Sequence, residues 1–169
     1  MAKVSERILA IYENLIHGEP VWDFCCDHGY LGISAYRSGH FPEVHFVDQV
    51  PHIIQKLEAD FAQKHFNEEN SQRAFFWAQS GESLQVPLSG TAVIAGVGTH
   101  TIQDILLGLY ARSTTNVSRW ILSSHRHEEK LEQFLASWSL FQDRFSLKSV
   151  TEITEKGRNR KLLIFDKNL

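Results

Sequence analysis

Short β-favouring runs alternate with stretches of helical periodicity along most of the chain, and that alternation limits the fold more than any single motif. Residues 21–26 (VWDFCC), 44–47 ending at Asp48, 74–78 (AFFWA), 91–95 (TAVIA) and 119–123 (RWILS) read as strands. The intervening stretches repeat apolar residues at helical spacing. Residues 5–17 carry Ile8, Leu9, Tyr12, Leu15 and Ile16 on one face, with Ser5 as N-cap and Pro20 as the stop. Residues 30–37 form a second helix. Pro51 opens a third, with Ile54, Leu57, Phe61 and His65 on one face. Residues 101–110 bury Ile102, Ile105, Leu106 and Leu109, and residues 128–138 bury Leu131, Phe134 and Leu135. The chain closes with a strand near 147–154, a turn at Lys156-Gly157-Arg158-Asn159 and a strand over 162–165. The expected fold is therefore an α/β sheet of mostly parallel strands, with right-handed crossovers, helices on both faces and a C-terminal antiparallel hairpin. Trp22, Trp77, Trp120 and Trp138 fall on strands or apolar faces and read as core.

A chain of 169 residues fits one domain, at roughly 100–200 residues per domain. Its 43% apolar and 22% charged residues exclude a disordered chain. Two cysteines, adjacent at Cys25 and Cys26, make neither a disulfide framework nor a zinc site, so a cytoplasmic location is expected. Glu6, Arg7 and Glu13 interrupt the first apolar stretch, which excludes a secretory signal, and no run reaches the roughly 18 apolar residues of a membrane span. A net charge of −3 gives no global attraction to nucleic acid, so any such contact must be local.

In a parallel sheet of this kind a ligand sits beyond the carboxyl ends of the strands, at the switch point beside the first strand. There the sequence reads Asp23-Phe24-Cys25-Cys26-Asp27-His28-Gly29. The G-x-G-x-x-G turn that brings backbone to a pyrophosphate is absent, which disfavours NAD and FAD. S-adenosyl-L-methionine has no phosphate. It asks for a carboxylate for its ammonium, small residues beside its sulfonium and backbone donors, and Asp23, Cys25 and Gly29 supply that set. A plainer reading has Asp23 and Asp27 cap the following helix. Asp48, with Gln49 beside it, ends the second strand 19 residues after Gly29, where an ionised carboxylate can hold both ribose hydroxyls. It would equally cap the Pro51 helix. Ser80, in Gln79-Ser80-Gly81-Glu82, is placed to read an adenine amino group or to make an ordinary turn. Gly96 and Gly98 end the fourth strand and let backbone approach a ligand.

Nine histidines invite a metal reading, and His125-x-His127 with Asp27 and His28 defines an alternative, a metal-dependent hydrolase. The spacing matches neither H-E-x-x-H nor a finger, so no metal is expected. His125 and Arg126 line a substrate mouth or cap the next helix. Lys156, Arg158, Arg160 and Lys161 place four positive charges in six residues. That run is either a solvated turn that protects a sheet edge or a finger that grips RNA phosphates.

The string from Asp23 to Leu31 resembles the D-x-G-S-D-H-A-Y-L signature of the bacterial tRNA adenine-N1 methyltransferases. Val93-Ile94-Ala95-Gly96-Val97-Gly98-Thr99-His100-Thr101-Ile102 resembles their V-I-A-G-M-G-G-x-x-I segment. The resemblance runs over the whole chain as one catalytic domain, residues 1–169, with a Rossmann-like methyltransferase sheet. It implies S-adenosyl-L-methionine as donor and N1 of a tRNA adenine as acceptor. Asp27 would steady the charge that develops on the base, and His28 and Tyr30 would position or stack it, unless Tyr30 packs inward. Gln79-Ser80-Gly81 stands in place of the family's glycine-aspartate-glycine. Ser123-Ser124-His125 stands in place of its glutamine-proline-asparagine, and its C-terminal helical extension has no counterpart here. These departures leave open a second alternative, a degenerate binding module without turnover.

Overall fold

The computed structural model describes residues 4–64, 73–112 and 115–169. Among them seven strands make one sheet in the order β3-β2-β1-β4-β5-β7-β6. The strands are β1 (Val21–Phe24), β2 (Val44–Asp48), β3 (Ala74–Ala78), β4 (Leu88–Val97), β5 (Thr115–Ser124), β6 (Phe145–Glu155) and β7 (Arg158–Lys167). β3 to β5 pair in parallel, β7 runs antiparallel to both neighbours, and β6 therefore points the same way as the parallel strands. The helices are α1 (Glu6–Glu13), α2 (Tyr30–Ser38), α3 (Pro51–Lys64), α4 (Thr99–Ala111), α5 (Glu128–Ser137) and α6 (Ser139–Arg144).

The strands alternate their side chains between two cores, as a sheet covered on both faces requires. Val21, Phe46, Val93 and Ile121 meet α1, α2 and α3 through Ile11, Leu31, Leu57 and Phe61. Phe24, Ile94, Trp120 and Leu122 meet the other three helices through Ile102, Leu106, Leu131 and Phe141. Each such side chain contributes about 1.5–3 kcal/mol on burial, which fixes the register of every strand and hence the position of every strand end. The sheet reverses its direction of winding between β1 and β4, so the gap above their carboxyl ends is the switch point.

The expected strand centres and helices are all present, and the differences lie at ends and faces. Ser5 does cap α1, accepting from the Ile8 amide at 3.2 Å. The helix stops at Glu13, however, with Asn14 as C-cap, well before Pro20. Its buried face holds Ile11 at 1% exposure, whereas Leu9 is 51% exposed. β1 ends at Phe24 rather than Cys26, β4 and β5 are longer than expected, and the short α6 was not foreseen. The hairpin turn is only Lys156-Gly157, both at positive φ, so Arg158 and Asn159 belong to β7. His65 lies outside the described residues.

Candidate active site

β1 stops because the chain turns left-handed immediately after it. Cys25 has φ 56°, Asp27 47° and Gly29 69°. Two non-glycine residues in that region cost of order 1–3 kcal/mol each and persist only where surrounding contacts hold them. Here the Cys26 amide donates to the Val47 carbonyl at 3.2 Å and the Gly29 amide to the Cys26 carbonyl at 2.7 Å. The Asp27 amide donates to Asp48 Oδ2 at 3.3 Å. Gly29 has a second reason to be glycine, since a Cβ would lie 2.9 Å from Leu57 Cδ1 on α3.

Asp23, the third residue of β1, is buried at the floor of this turn. Burial pushes its carboxyl up to about 7, opposed by a hydrogen bond from the Gly32 amide and assisted by the charge of Asp48. The same burial pushes the Cys25 thiol up to about 12 and raises Cys26 further, so neither is a thiolate nucleophile. Above Asp23 is a cavity of 140 Å³ bordered by Arg7, Cys25, Asp27, Tyr30 and Gly96. A larger groove of 540 Å³ opens between α2 and α3, past His52, Lys56 and Asp60. Asp27, His28 and Tyr30 border both.

Those three residues are presented outward. Asp27 and His28 side chains are 69% and 67% exposed, with Oδ1 and Nδ1 3.2 Å apart. Tyr30 is 49% exposed and meets the His28 ring edge-on at 5.5 Å. The inward-packed alternative for Tyr30 is therefore wrong. Asp27 is not a helix cap either, because Gly29 holds that position without a side-chain bond.

The other candidate residues divide. Asp48 ends β2 and does not cap α3: its Oδ1 accepts from the Val50 amide at 3.0 Å in a turn before that helix, while Oδ2 tethers the Asp27 amide. A carboxylate has about four acceptor sites, so these two bonds leave room for a hydroxyl pair. Gln49 is exposed beside it. The Ser80 hydroxyl donates to Ser83 Oγ at 3.0 Å, inside the turn Gly81–Ser83. Gly96 lines the cavity at φ 78°, whereas Gly98 begins α4 at ordinary φ. His127, at φ 56°, opens α5, and His125 Nδ1 is buried without a partner. No three or more potential metal ligands come together among the described residues. Of the four hairpin cations, Lys161 pairs with Glu132 at 2.9 Å and Arg160 donates to the His125 carbonyl. Lys156 and Arg158 are exposed.

Arg7 was not among the candidates. It reaches from α1 to the end of β4, bonds Glu155 Oε2 through Nη1 at 3.1 Å, and keeps its Nε buried without a partner. The only local sign of it is a charge inside an otherwise apolar helical pattern.

Solved structures share the fold of this sheet. TrmK of M. capricolum, crystallised with S-adenosyl-homocysteine, has a TM-score of 0.77 at 17% identity over 98% of this chain and 69% of that one. Sp1610 of Streptococcus pneumoniae, crystallised with S-adenosyl-L-methionine, has a TM-score of 0.78 at 20% identity over 98% and 73%. The B. subtilis M1A22 tRNA methyltransferase TrmK has a TM-score of 0.79 at 17% identity over 99% and 68%. These likenesses define a Rossmann-like methyltransferase fold. Residues 4–158 match the methyltransferase-domain family, and the chain belongs to it. No curated protein matches the sequence. Among the described residues no helix is long and apolar enough to cross a membrane.

Proposed function

We propose that residues 1–169 form one S-adenosyl-L-methionine-dependent methyltransferase domain that acts in the cytoplasm on N1 of an adenine in tRNA. The observation that carries this reading is the β1 turn, which buries the Asp23 carboxylate under a cavity and presents Asp27, His28 and Tyr30 at its mouth. The donor set fits the cofactor: a buried carboxylate for an ammonium, the uncharged Cys25 beside it, and Gly96 with no side chain to fill the space. Asp48, with Gln49, is assigned to the ribose hydroxyls and Ser80 to the adenine edge. Gly29 and Gly98 are assigned to close backbone approach. The cofactor supplies a sulfonium methyl group open to in-line displacement.

The chain's own residues then have alignment and electrostatics to provide. Adenine N1 is a lone-pair nucleophile, so no strong base is needed. Asp27 accepts from the exocyclic amine and steadies the positive charge that grows on the ring. Tyr30 and His28 hold the extruded base by stacking, a contribution of about 1–3 kcal/mol per base. The acceptor is supported by the Asp27-His28-x-Tyr30-Leu31 run and by the tRNA methyltransferases among the similar structures. Incubation with the cofactor and unmodified tRNA, followed by nuclease digestion and mass spectrometry, should yield N1-methyladenosine. Binding of S-adenosylhomocysteine without any methylated base would instead favour the binding module. No binding of it at all would remove the donor.

A further inference from the structure

The groove between α2 and α3 has no task in that reading, yet it is built from two regular rows of side chains. Residues four apart lie one above the other on a helix. On α3 the row Ile53, Leu57 and Phe61 is apolar, the adjoining row His52, Lys56, Asp60 and Lys64 is polar, and both rows border the groove. Leu57 and Phe61 are buried in the core and make its floor. Gly29 brings the start of α2 against that floor, since a Cβ there would lie 2.9 Å from Leu57 Cδ1. Ile33 of α2 borders the groove from the opposite side. Ile53 is half-buried and belongs to neither core.

In the polar row, Lys64 lies 3.9 Å from Asp60. Lys56 is exposed and has no ion-pair partner among the described residues. The 540 Å³ of the groove falls in the range of about 300–1,000 Å³ that small ligands fill. An apolar floor beside an unengaged cation suits a ligand with a flat apolar face and an anion close to it. An apolar peptide side chain would use the floor and leave Lys56 idle. A bare phosphate would use Lys56 and leave Ile33 and Ile53 in water. A nucleotide uses both. Asp27, His28 and Tyr30 border this groove and the donor cavity alike, whereas Asp48, Ser80 and Gly96, assigned to the cofactor, do not border the groove. A strand whose adenine is presented at the cavity mouth therefore passes its next nucleotide to the groove.

We propose that the groove seats the nucleotide adjacent to the target adenine in the same RNA strand, with its base on Ile33 and Ile53 and its phosphate at Lys56. This rests on the tRNA-methyltransferase reading above. The acceptor is then a stretch in which two consecutive bases leave the stack.

Affinity of the full chain, saturated with S-adenosylhomocysteine, for unmodified tRNA tests it, together with two tRNAs made abasic on the 5′ or the 3′ side of the methylated adenine. One abasic position, and only one, should weaken wild-type binding about tenfold, the loss of one stacked base. Ile53→Ser should weaken intact tRNA by a similar factor, and the same abasic position should cost that variant less than about threefold, because both changes remove one contact. Lys56→Glu should weaken tRNA about five- to tenfold and flatten the salt slope by about 0.7, while Lys56→Arg stays near wild type. S-adenosylhomocysteine affinity should hold in every variant. Losses from Ile53→Ser and the abasic position that simply multiply, or a wild type indifferent to both abasic tRNAs, would overturn the proposal. Should Ile53→Ser fail to unfold cooperatively, or tRNA bind without being methylated, Lys56→Glu decides: an unchanged affinity and slope exclude a phosphate at that position. Adenosine monophosphate separates the sources, since micromolar binding to wild type that Lys56→Glu abolishes would assign the groove to a free nucleotide instead. A wild type that neither binds nor methylates tRNA ends the RNA reading and this proposal together, whereas methylation that ignores Lys56 and both neighbours ends this proposal alone.

Discussion

Two turns on the carboxyl-end rim of the sheet both use left-handed backbone, and for different ends. The turn after β1 places Cys25, Asp27 and Gly29 at positive φ. Hydrogen bonds from β2 and its end, through Val47 and Asp48, hold it there. The turn between β6 and β7 places Lys156 and Gly157 at positive φ. There the geometry is the one that the twist of a two-residue hairpin prefers, and no distant partner is required. Strain that needs tertiary support marks the first turn as the place where side chains are being aimed. Strain that a hairpin adopts by itself marks the second as connection first and contact surface second.

If this contrast holds, the largest effect belongs to Asp27. Asp27→Asn keeps the shape of the turn but removes the charge proposed to face the base. Methyl transfer should fall by about 10²–10³ while S-adenosylhomocysteine affinity changes little. Full activity in that variant would reduce the turn to a cofactor-binding feature.

Asp23 comes next. Its folded-state value near 7 lies above the unfolded 3.8, so the native state binds more protons between those values. The stability gained from this group is complete below about pH 4 and is lost as the pH rises through 7. Asp23→Asn, which is never charged, should therefore be more stable than wild type at pH 8, by up to about 4 kcal/mol. Binding has the opposite dependence. S-adenosylhomocysteine affinity should rise about tenfold from pH 6 to pH 8 as Asp23 ionises, and Asp23→Asn should flatten that rise. A wild-type affinity that is flat across this range would separate Asp23 from the ligand's ammonium.

Much of this was legible from the sequence because period-2 and period-3.6 patterns report burial directly. The five parallel strand centres and the closing hairpin could be named beforehand, whereas Tyr30 could be read as facing either in or out. What was missed depends on contacts that spacing does not carry. α6 has six residues and one buried side chain, Phe141, too few to show a period. α1 packs Ile8, Ile11 and Tyr12 on one stripe with Leu15 beyond its end, and Leu9 lies off that stripe. Asp48 looked like either a helix cap or a ligand holder. It shapes the turn before α3 and tethers the β1 turn, and this second bond joins residues 21 positions apart. Arg7 meets Gly96 and Glu155 only through the tertiary fold.

The hairpin can be tested by charge. Arg160 and Lys161 are already engaged with His125 and Glu132, so Lys156 and Arg158 are the cations left to meet RNA. Lys156→Glu with Arg158→Glu should weaken tRNA binding and flatten the dependence of log affinity on log salt by about 0.7–0.9 for each phosphate no longer neutralised. S-adenosylhomocysteine titrations should not change. An unaltered salt slope would leave the run as protection for the β6 edge.

The smallest expected effect separates the two turns most directly. Lys156 sits at φ 50° before Gly157, a position where asparagine is favoured because its short polar side chain tolerates left-handed backbone. Lys156→Asn should stabilise the protein by about 0.5–1 kcal/mol, which raises Tm by about 1–4 °C for a domain of this size. Its immediate neighbour Glu155 bonds Arg7, so the hairpin has one route into the cavity. If that ion pair only orients Arg7 and the turn is otherwise independent, Tm rises and S-adenosylhomocysteine affinity stays at the wild-type value. A variant that gains stability and also changes affinity would mean that hairpin geometry feeds through Glu155 into the site, and the two turns would then be one coupled device.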